Sequence, residues 1–286
     1  VNKIILPLFI SCTLWGVNNG DTWVSFIPTS DSRITLNSGD NFTIYLDRDP
    51  KDNVNRGNNF GNGGSTNLNL TSNNGASSLT LKQKDTLANL QFYHNPNNTI
   101  FVGQDAQLKI QMGGFRTVDN RFFLNGGLIK IGNRGSFSLS GVYRLSIGSD
   151  GGSFQVEQGG NAEITNVREI KIVTKGRQKS GIINNGGTLT LKTEVGVFNS
   201  TFTTDGSLGS SFDSGEIIHN GGTTTIKHID DNQESLLYNA GYESFGATIL
   251  KHRHALLEVN GGTFNVVGNL YNGGRSGGGG GAGLGW

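Results

Sequence analysis

The sequence predicts an all-β protein, and within that class a right-handed parallel β-helix, on three observations. The first is a short template. From Gly64 to Val266 a glycine, any residue, an apolar residue or Thr, a mostly polar residue and a second apolar residue recur nine times. The second is the lack of helical patterning: beyond the first twenty residues no segment spaces apolar residues for three helical turns. The third is glycine, 45 of 286 residues, about twice the usual share of roughly 7%, crowded by Asn, Ser and Thr. A chain of this composition turns often.

The elements follow in chain order. Residues 1–16 form a secretory signal. Val1-Asn2-Lys3 gives a basic start, and Ile4-Ile5-Leu6-Pro7-Leu8-Phe9-Ile10 is an apolar run shorter than the roughly 20 residues that span a bilayer. Residues 17–63 are less regular; Arg33-Ile34-Thr35-Leu36 and Asn41-Phe42-Thr43-Ile44-Tyr45-Leu46 read as strands that begin an N-terminal cap, because a solenoid must protect its first open edge. Residues 64–270 hold the repeats. Their apolar pairs include Thr66 and Leu68, Ile129 and Ile131, Phe137 and Leu139, Phe154 and Val156, Ala162 and Ile164, Leu189 and Leu191, Thr224 and Ile226, and Phe264 and Val266. A copy around Ser77, Leu79 and Leu81 fits with a two-residue slip. Period-two alternation puts each pair on one strand face and Thr, Ser, Lys and Asn on the other. Residues 271–286, with glycine at 277–281, read as a flexible tail.

The strand-to-strand corners carry their own signature. Ser180 to Lys192 and Ser214 to Lys227 match with a single inserted residue, and both pass through Asn-Gly-Gly: Asn185-Gly186-Gly187 and Asn220-Gly221-Gly222. Asn260-Gly261-Gly262 and Asn125-Gly126-Gly127 are looser copies. These residue types tolerate the positive φ of a tight corner. If each Asn-Gly were a type I′ hairpin turn, the fold would be an antiparallel β-sandwich. Irregular spacing favours a solenoid with loops of variable length, since Asn125, Asn185, Asn220 and Asn260 are separated by 60, 35 and 40 residues. In that arrangement inward Leu, Ile, Val and Phe stack into one core, and corner asparagines stack into amide ladders.

Chemistry is sparse. The 23 basic and 22 acidic residues nearly cancel and do not cluster, which argues against nucleic acid as a partner. Asp47 to Asn53 superficially suggests calcium, but the sixth and twelfth positions of an EF-hand loop begun at Asp47 hold Asp52 and Asn58 rather than Gly and Glu. His252 and His254 lack a further ligand at convincing spacing. Asp230, Asp231 and Glu234 form the one carboxylate cluster of interest, in a loop between repeats, and would be the first residues to alter if activity appeared. No cofactor, metal or catalytic set is expected.

Leu8-Phe9-Ile10-Ser11-Cys12 resembles the lipobox of bacterial lipoproteins, which makes Cys12, the chain's single cysteine, a lipidation site; the alternative is a chance cysteine in a signal cleaved near Gly16. The Ile-Ile-Asn-Asn-Gly-Gly-Thr-Leu-Thr-Leu type of repeat, over about residues 60–270, resembles passenger domains of autotransporter adhesins, and with Cys12 the lipid-anchored subgroup of CapA type. The resemblance implies display at the outer membrane or cell surface and binding to a host-cell surface protein or glycan. The chain departs from that family in lacking a translocator barrel, so it is expected to be a passenger truncated before the barrel, periplasmic if export stops there, with the glycine run at 277–281 a place for a reading-frame change. The alternative function is a β-helical polysaccharide lyase or hydrolase.

Overall fold

The computed structural model describes residues 22–23, 32–46, 57–60, 67–84, 90–94, 96–114, 119–149, 151–174, 180–199, 214–239 and 254–272. They contain twenty strands and no helix, and every strand pairing among them is parallel. The fold is therefore a parallel β-helix, and the antiparallel sandwich is excluded.

A short strand, β1 (Thr22–Trp23), precedes eight coils. Coil 1 is β2 (Ser32–Asn37), β3 (Asn41–Leu46) and β4 (Gly57–Phe60); coil 2 is β5 (Asn67–Asn73), β6 (Ser77–Gln83) and β7 (Gln91–His94); coil 3 is β8 (Thr99–Val102), β9 (Ala106–Gln111) and β10 (Arg121–Asn125). In the middle the strands merge across corners: coil 4 is β11 (Leu128–Ile131) and β12 (Ser136–Ser149), coil 5 is β13 (Ser153–Glu157) and β14 (Asn161–Thr174), and coil 6 is the single strand β15 (Gly181–Asn199). Coil 7 is β16 (Ser214–His228) and β17 (Ser235–Asn239), and coil 8 is β18 (His254–Val259), β19 (Thr263–Val266) and β20 (Gly268–Asn272).

Each coil passes through three faces. Face A joins β2, β5, β8, β11, β13, the starts of β15 and β16, and β18. Face B joins β1, β3, β6, β9, the first halves of β12 and β14, the middle of β15, the second half of β16, and β19. Face C joins β4, β7, β10, the second halves of β12 and β14, the end of β15, then β17 and β20. Residues within 17–63 are thus already in register with coil 2, as β2 pairs with β5 and β3 with β6.

In-register stacking explains the core. Leu68, Ile100, Ile129, Phe154, Ile182 and Ile217 form an inward column on face A; Leu81, Ile110, Leu139, Ile164, Leu191 and Ile226 one on face B; and Phe122, Leu145, Ile170, Val197 and Leu237 one on face C. All are buried, each contributing about 1.5–3 kcal/mol relative to exposure. Phe137 and Phe154 meet edge to face at 5.3 Å across the interior. The slipped repeat resolves cleanly, with Leu79 and Leu81 both inward and buried; in coil 2 Leu68 and Leu70 are buried on face A, and Thr66 lies outside the described residues.

The Asn-Gly-Gly corners separate into two kinds. Asn185, Asn220 and Asn260 occupy the corner from face A to face B in coils 6, 7 and 8 and form an amide ladder, Asn260 Nδ2 donating to Asn220 Oδ1 and Asn220 Nδ2 to Asn185 Oδ1, each at 2.8 Å. Asn125 ends β10 on face C, so Gly126 and Gly127 turn the other way round the coil, from C to A. The residue inserted between the matching repeats is Glu216, which sits where face A begins and pairs with Gly181; downstream the register is broken around Asn185, which pairs with Gly221, and resumes from Thr188 with Thr223.

Candidate functional site

Turning from face B to face C forces each coil through a corner of backbone loops, and these corners line up into a trough. Its deeper part, about 450 Å³, is lined by Thr165, Asn166, Glu194, His228, Ile229, Asp230 and Gln233 from coils 5 to 7. A shallower part, about 270 Å³, runs over Lys82, Gln83 and residues 111–114 of coils 2 and 3. Asn166 lines both, with a left-handed φ of 53° that carries its side chain at the turn.

Within the deeper part His228 is fixed by local geometry. His228 Nδ1 lies 2.9 Å from the Asp230 backbone nitrogen and 3.1 Å from the Asp230 carbonyl oxygen. The Asp230 carboxylate is committed to its own turn, accepting from the Asn232 N–H at 3.0 Å and from the Asn232 and Gln233 side chains. Asp231 points elsewhere and accepts from Lys227 Nζ at 2.8 Å; this hydrogen bond, with the ammonium's charge, holds its carboxyl below the ordinary value. Glu234 Oε2 accepts from Asn269 Nδ2 of the next coil at 2.6 Å. The three carboxylates of the sequence cluster therefore serve three separate contacts and do not converge on one point.

Beyond the trough, face C presents charge and then rings. Arg144 Nε donates to Glu169 Oε1 at 2.6 Å, and Lys171 Nζ lies 3.5 Å from the same oxygen. Burial pushes the Lys171 ammonium down against the pull of Glu169. At the corner the Arg168 guanidinium lies 4.6 Å over the Tyr143 ring and bonds its hydroxyl. Outward on the last coils Phe198, Tyr238 and Tyr271 stack nearly parallel at 5.3 and 5.0 Å. Face B is flatter, with Thr188, Thr223 and Thr263 in one outward column and Thr190 beside Thr225 in the next.

The interior holds polar residues that sequence reasoning missed. Asn184, one residue before the corner asparagine, is buried; its Oδ1 accepts from the Gly186 and Gly187 N–H groups at 3.2 and 2.9 Å, and its Nδ2 reaches Thr224 Oγ1 at 2.9 Å. His219 stands above it in the same column, bonded through Nδ1 to Thr224 Oγ1 at 3.0 Å and edge-on to Phe264; burial lowers its pKa. A second amide ladder runs Asn199 to Asn239 to Asn272 on face C. An Asn at an inward position of the template is the one signal that could have found these residues.

Among the described residues no group of three His, Cys, Asp or Glu side chains could hold a metal ion. Cys12, Asp47 to Asn53 and His252 lie outside the described residues, and His254 opens β18. Among the described residues no helix is long and apolar enough to cross a membrane, which says nothing of a β-barrel. No family model, no curated protein and no solved structure matches this chain.

Proposed function

We propose that the chain is the β-helical stalk of an exported bacterial surface adhesin, and that its lateral faces bind a host-cell surface protein or glycan. The observation that carries this reading is the long trough beside face C. It is open, it crosses several coils, its part over coils 5 to 7 is lined mainly by polar side chains, and Asn166 in its wall lies two residues before Arg168, which stacks on Tyr143. An extended ligand can lie along such a surface and use one coil per contact, with hydrogen-bonding side chains for hydroxyls and ring edges for apolar sugar faces. The test is binding of the purified chain to epithelial cells and to a glycan array, with Arg168→Ala as the altered form. Loss of binding in that variant supports the reading; no binding by the parent chain to either surface refutes it.

A carbohydrate-active enzyme is the second reading, favoured by one feature: Glu194, His228 and Asp230 line the same cleft. Depolymerisation of a polysaccharide that vanishes in Asp230→Asn would replace the adhesin reading. The local commitments of Asp230, Asp231 and Glu234 favour the adhesin.

A further inference from the structure

An asparagine followed by glycine is open to attack by its own backbone, because glycine has no Cβ to keep the next nitrogen from closing on the side-chain amide carbon. The fold holds the four Asn-Gly-Gly corners unequally. Three are tied into the A–B ladder. Asn220 Nδ2 donates to Asn185 Oδ1 and Asn220 Oδ1 accepts from Asn260 Nδ2, each at 2.8 Å. Asn260 Nδ2 also donates to Glu258 Oε1 at 2.8 Å, and Asn185 Nδ2 lies 3.4 Å from the Glu157 carboxylate. At Asn185 the nitrogen that would attack is itself engaged, the Gly186 N–H donating to Asn184 Oδ1 at 3.2 Å.

Asn125 stands apart. It ends β10, and its register partner in coil 4 is Gly148, which has no side chain to continue a ladder. Toward coil 2 the pairing stops one residue earlier, at Leu124 with His94. Among the described residues no group hydrogen-bonds the Asn125 side-chain amide and none accepts from the Gly126 N–H. The residue is half-buried, so water reaches it. The chain is pinned just past the glycines, where the Gly127 carbonyl accepts from the Ser153 N–H at 2.9 Å and the Leu128 N–H donates to the Asn98 carbonyl at 2.8 Å. Asn74-Gly75 also lies outside the ladder, but φ at Asn74 is 61°, and a left-handed backbone swings the following nitrogen away from the side chain.

We infer that Asn125 is a self-modification site, at which the amide is converted to a carboxylate while the ladder asparagines are spared. The Gly126 nitrogen, having given its proton to hydroxide, attacks Asn125 Cγ. The N–Cγ bond forms, the Cγ–Nδ2 bond breaks, and Nδ2 takes a proton from water and leaves as ammonia. A five-membered imide remains. One water then opens it: cleavage at Cγ gives aspartate, and cleavage at the backbone carbonyl carbon gives isoaspartate, whose main chain runs through Cβ and Cγ. The net change is one water in and one ammonia out. A carboxylate then stands where face C turns to face A. In the isoaspartate form the corner gains a backbone carbon just ahead of Leu128, whose register with Thr99 and Ser153 has to absorb it.

The test keeps the full chain in mildly alkaline buffer, folded by circular dichroism in one sample and unfolded in urea in another, and follows both over weeks. Trypsin separates the four corners into peptides 122–130, 180–192, 193–227 and 254–275. Mass spectrometry reads the exchange of ammonia for water in each peptide, and enzymatic methylation of the isoaspartyl carboxyl counts the isoaspartate. In the folded chain, conversion at Asn125 is expected to exceed that at Asn185 and Asn220 by at least about tenfold, because each ladder amide must release its hydrogen bonds before it reacts. In urea the difference should vanish, since all the corners share Asn-Gly-Gly. A folded chain in which Asn125 stays intact, or reacts no faster than Asn185 and Asn220, would overturn the inference. So would a preference for Asn125 that persists in urea, because flanking residues rather than the fold would then set it.

Discussion

Substituting the two glycines of a single corner separately tests the coil stacking most sharply. Gly222 has φ +73°, and a Cβ placed there would lie 2.1 Å from the Gly187 carbonyl oxygen and 2.5 Å from the Gly186 carbonyl carbon, both backbone atoms of the coil below. Its neighbour Gly221 has no left-handed φ, and its Cβ would meet nothing closer than the Gly186 Cα at 3.7 Å. For Gly222→Ala the left-handed backbone costs about 1–2 kcal/mol, and forcing two coils apart adds about 1–3 kcal/mol. A loss of about 3 kcal/mol is expected. Gly221→Ala removes unfolded-state freedom without strain and should stabilise by about 0.4–1 kcal/mol. Urea unfolding followed by circular dichroism gives the midpoints, and hydrogen exchange of β16 shows whether the damage is local, since a solenoid can lose coils piecemeal. Equal midpoints, or a larger loss in Gly221→Ala, would refute the backbone-to-backbone packing of this corner.

Acid should weaken the fold through His94, whose pKa burial pushes down to about 3. Below about pH 6.5 the unfolded chain takes up a proton that the folded one refuses, so stability is full above that value and falls toward pH 3, by on the order of 4 kcal/mol; His94→Leu should flatten this slope in unfolding curves measured from pH 7 to 4. Leu191, buried between Ile164 and Ile226 in its column, should cost about 2–5 kcal/mol when cut to Ala, read from thermal and urea midpoints. Arg144→Ala strands the buried Glu169 beside Lys171 alone and should cost about 1–3 kcal/mol, recovered in the double variant with Glu169→Gln if the pair and not the packing matters. Metabolic labelling with a fatty-acid analogue should mark the chain and fail to mark Cys12→Ser; equal labelling would refute the lipidation of Cys12 that the lipobox resemblance implies.

The fold was legible wherever glycine opened a strand and two apolar residues followed in alternation. Ile129 with Ile131 and Leu189 with Leu191 point inward as their pattern requires. Face C was not legible for two physical reasons. Its strands continue from face B through a single residue of positive φ, Gly141 in β12 and Asn166 in β14, rather than the template's glycine, and its second inward column contains His94, Asn199 and Asn239, which a hydrophobic template rejects. Corner spacing misled about Asn125 for a related reason. Coils differ in length, with 25 residues between the paired Ile129 and Phe154 and 40 between Ile217 and Leu257, so distance along the chain does not say which corner an Asn-Gly-Gly occupies. The trough left no motif at all, because it is assembled from backbone corners between Lys82 and Gln233 that only coil stacking brings into line.

The all-parallel stacking also sets how the β-helix responds to being pulled. A coil of 25 residues raises the stack by one strand spacing, about 4.8 Å, yet once released the same residues reach about 85 Å. Tension along the axis falls on the bonds between coils, and because each coil touches only its neighbours, the load strips one turn at a time from an open end. The protein would yield in steps, each lengthening it by more than tenfold for that turn, while the remaining turns keep their register.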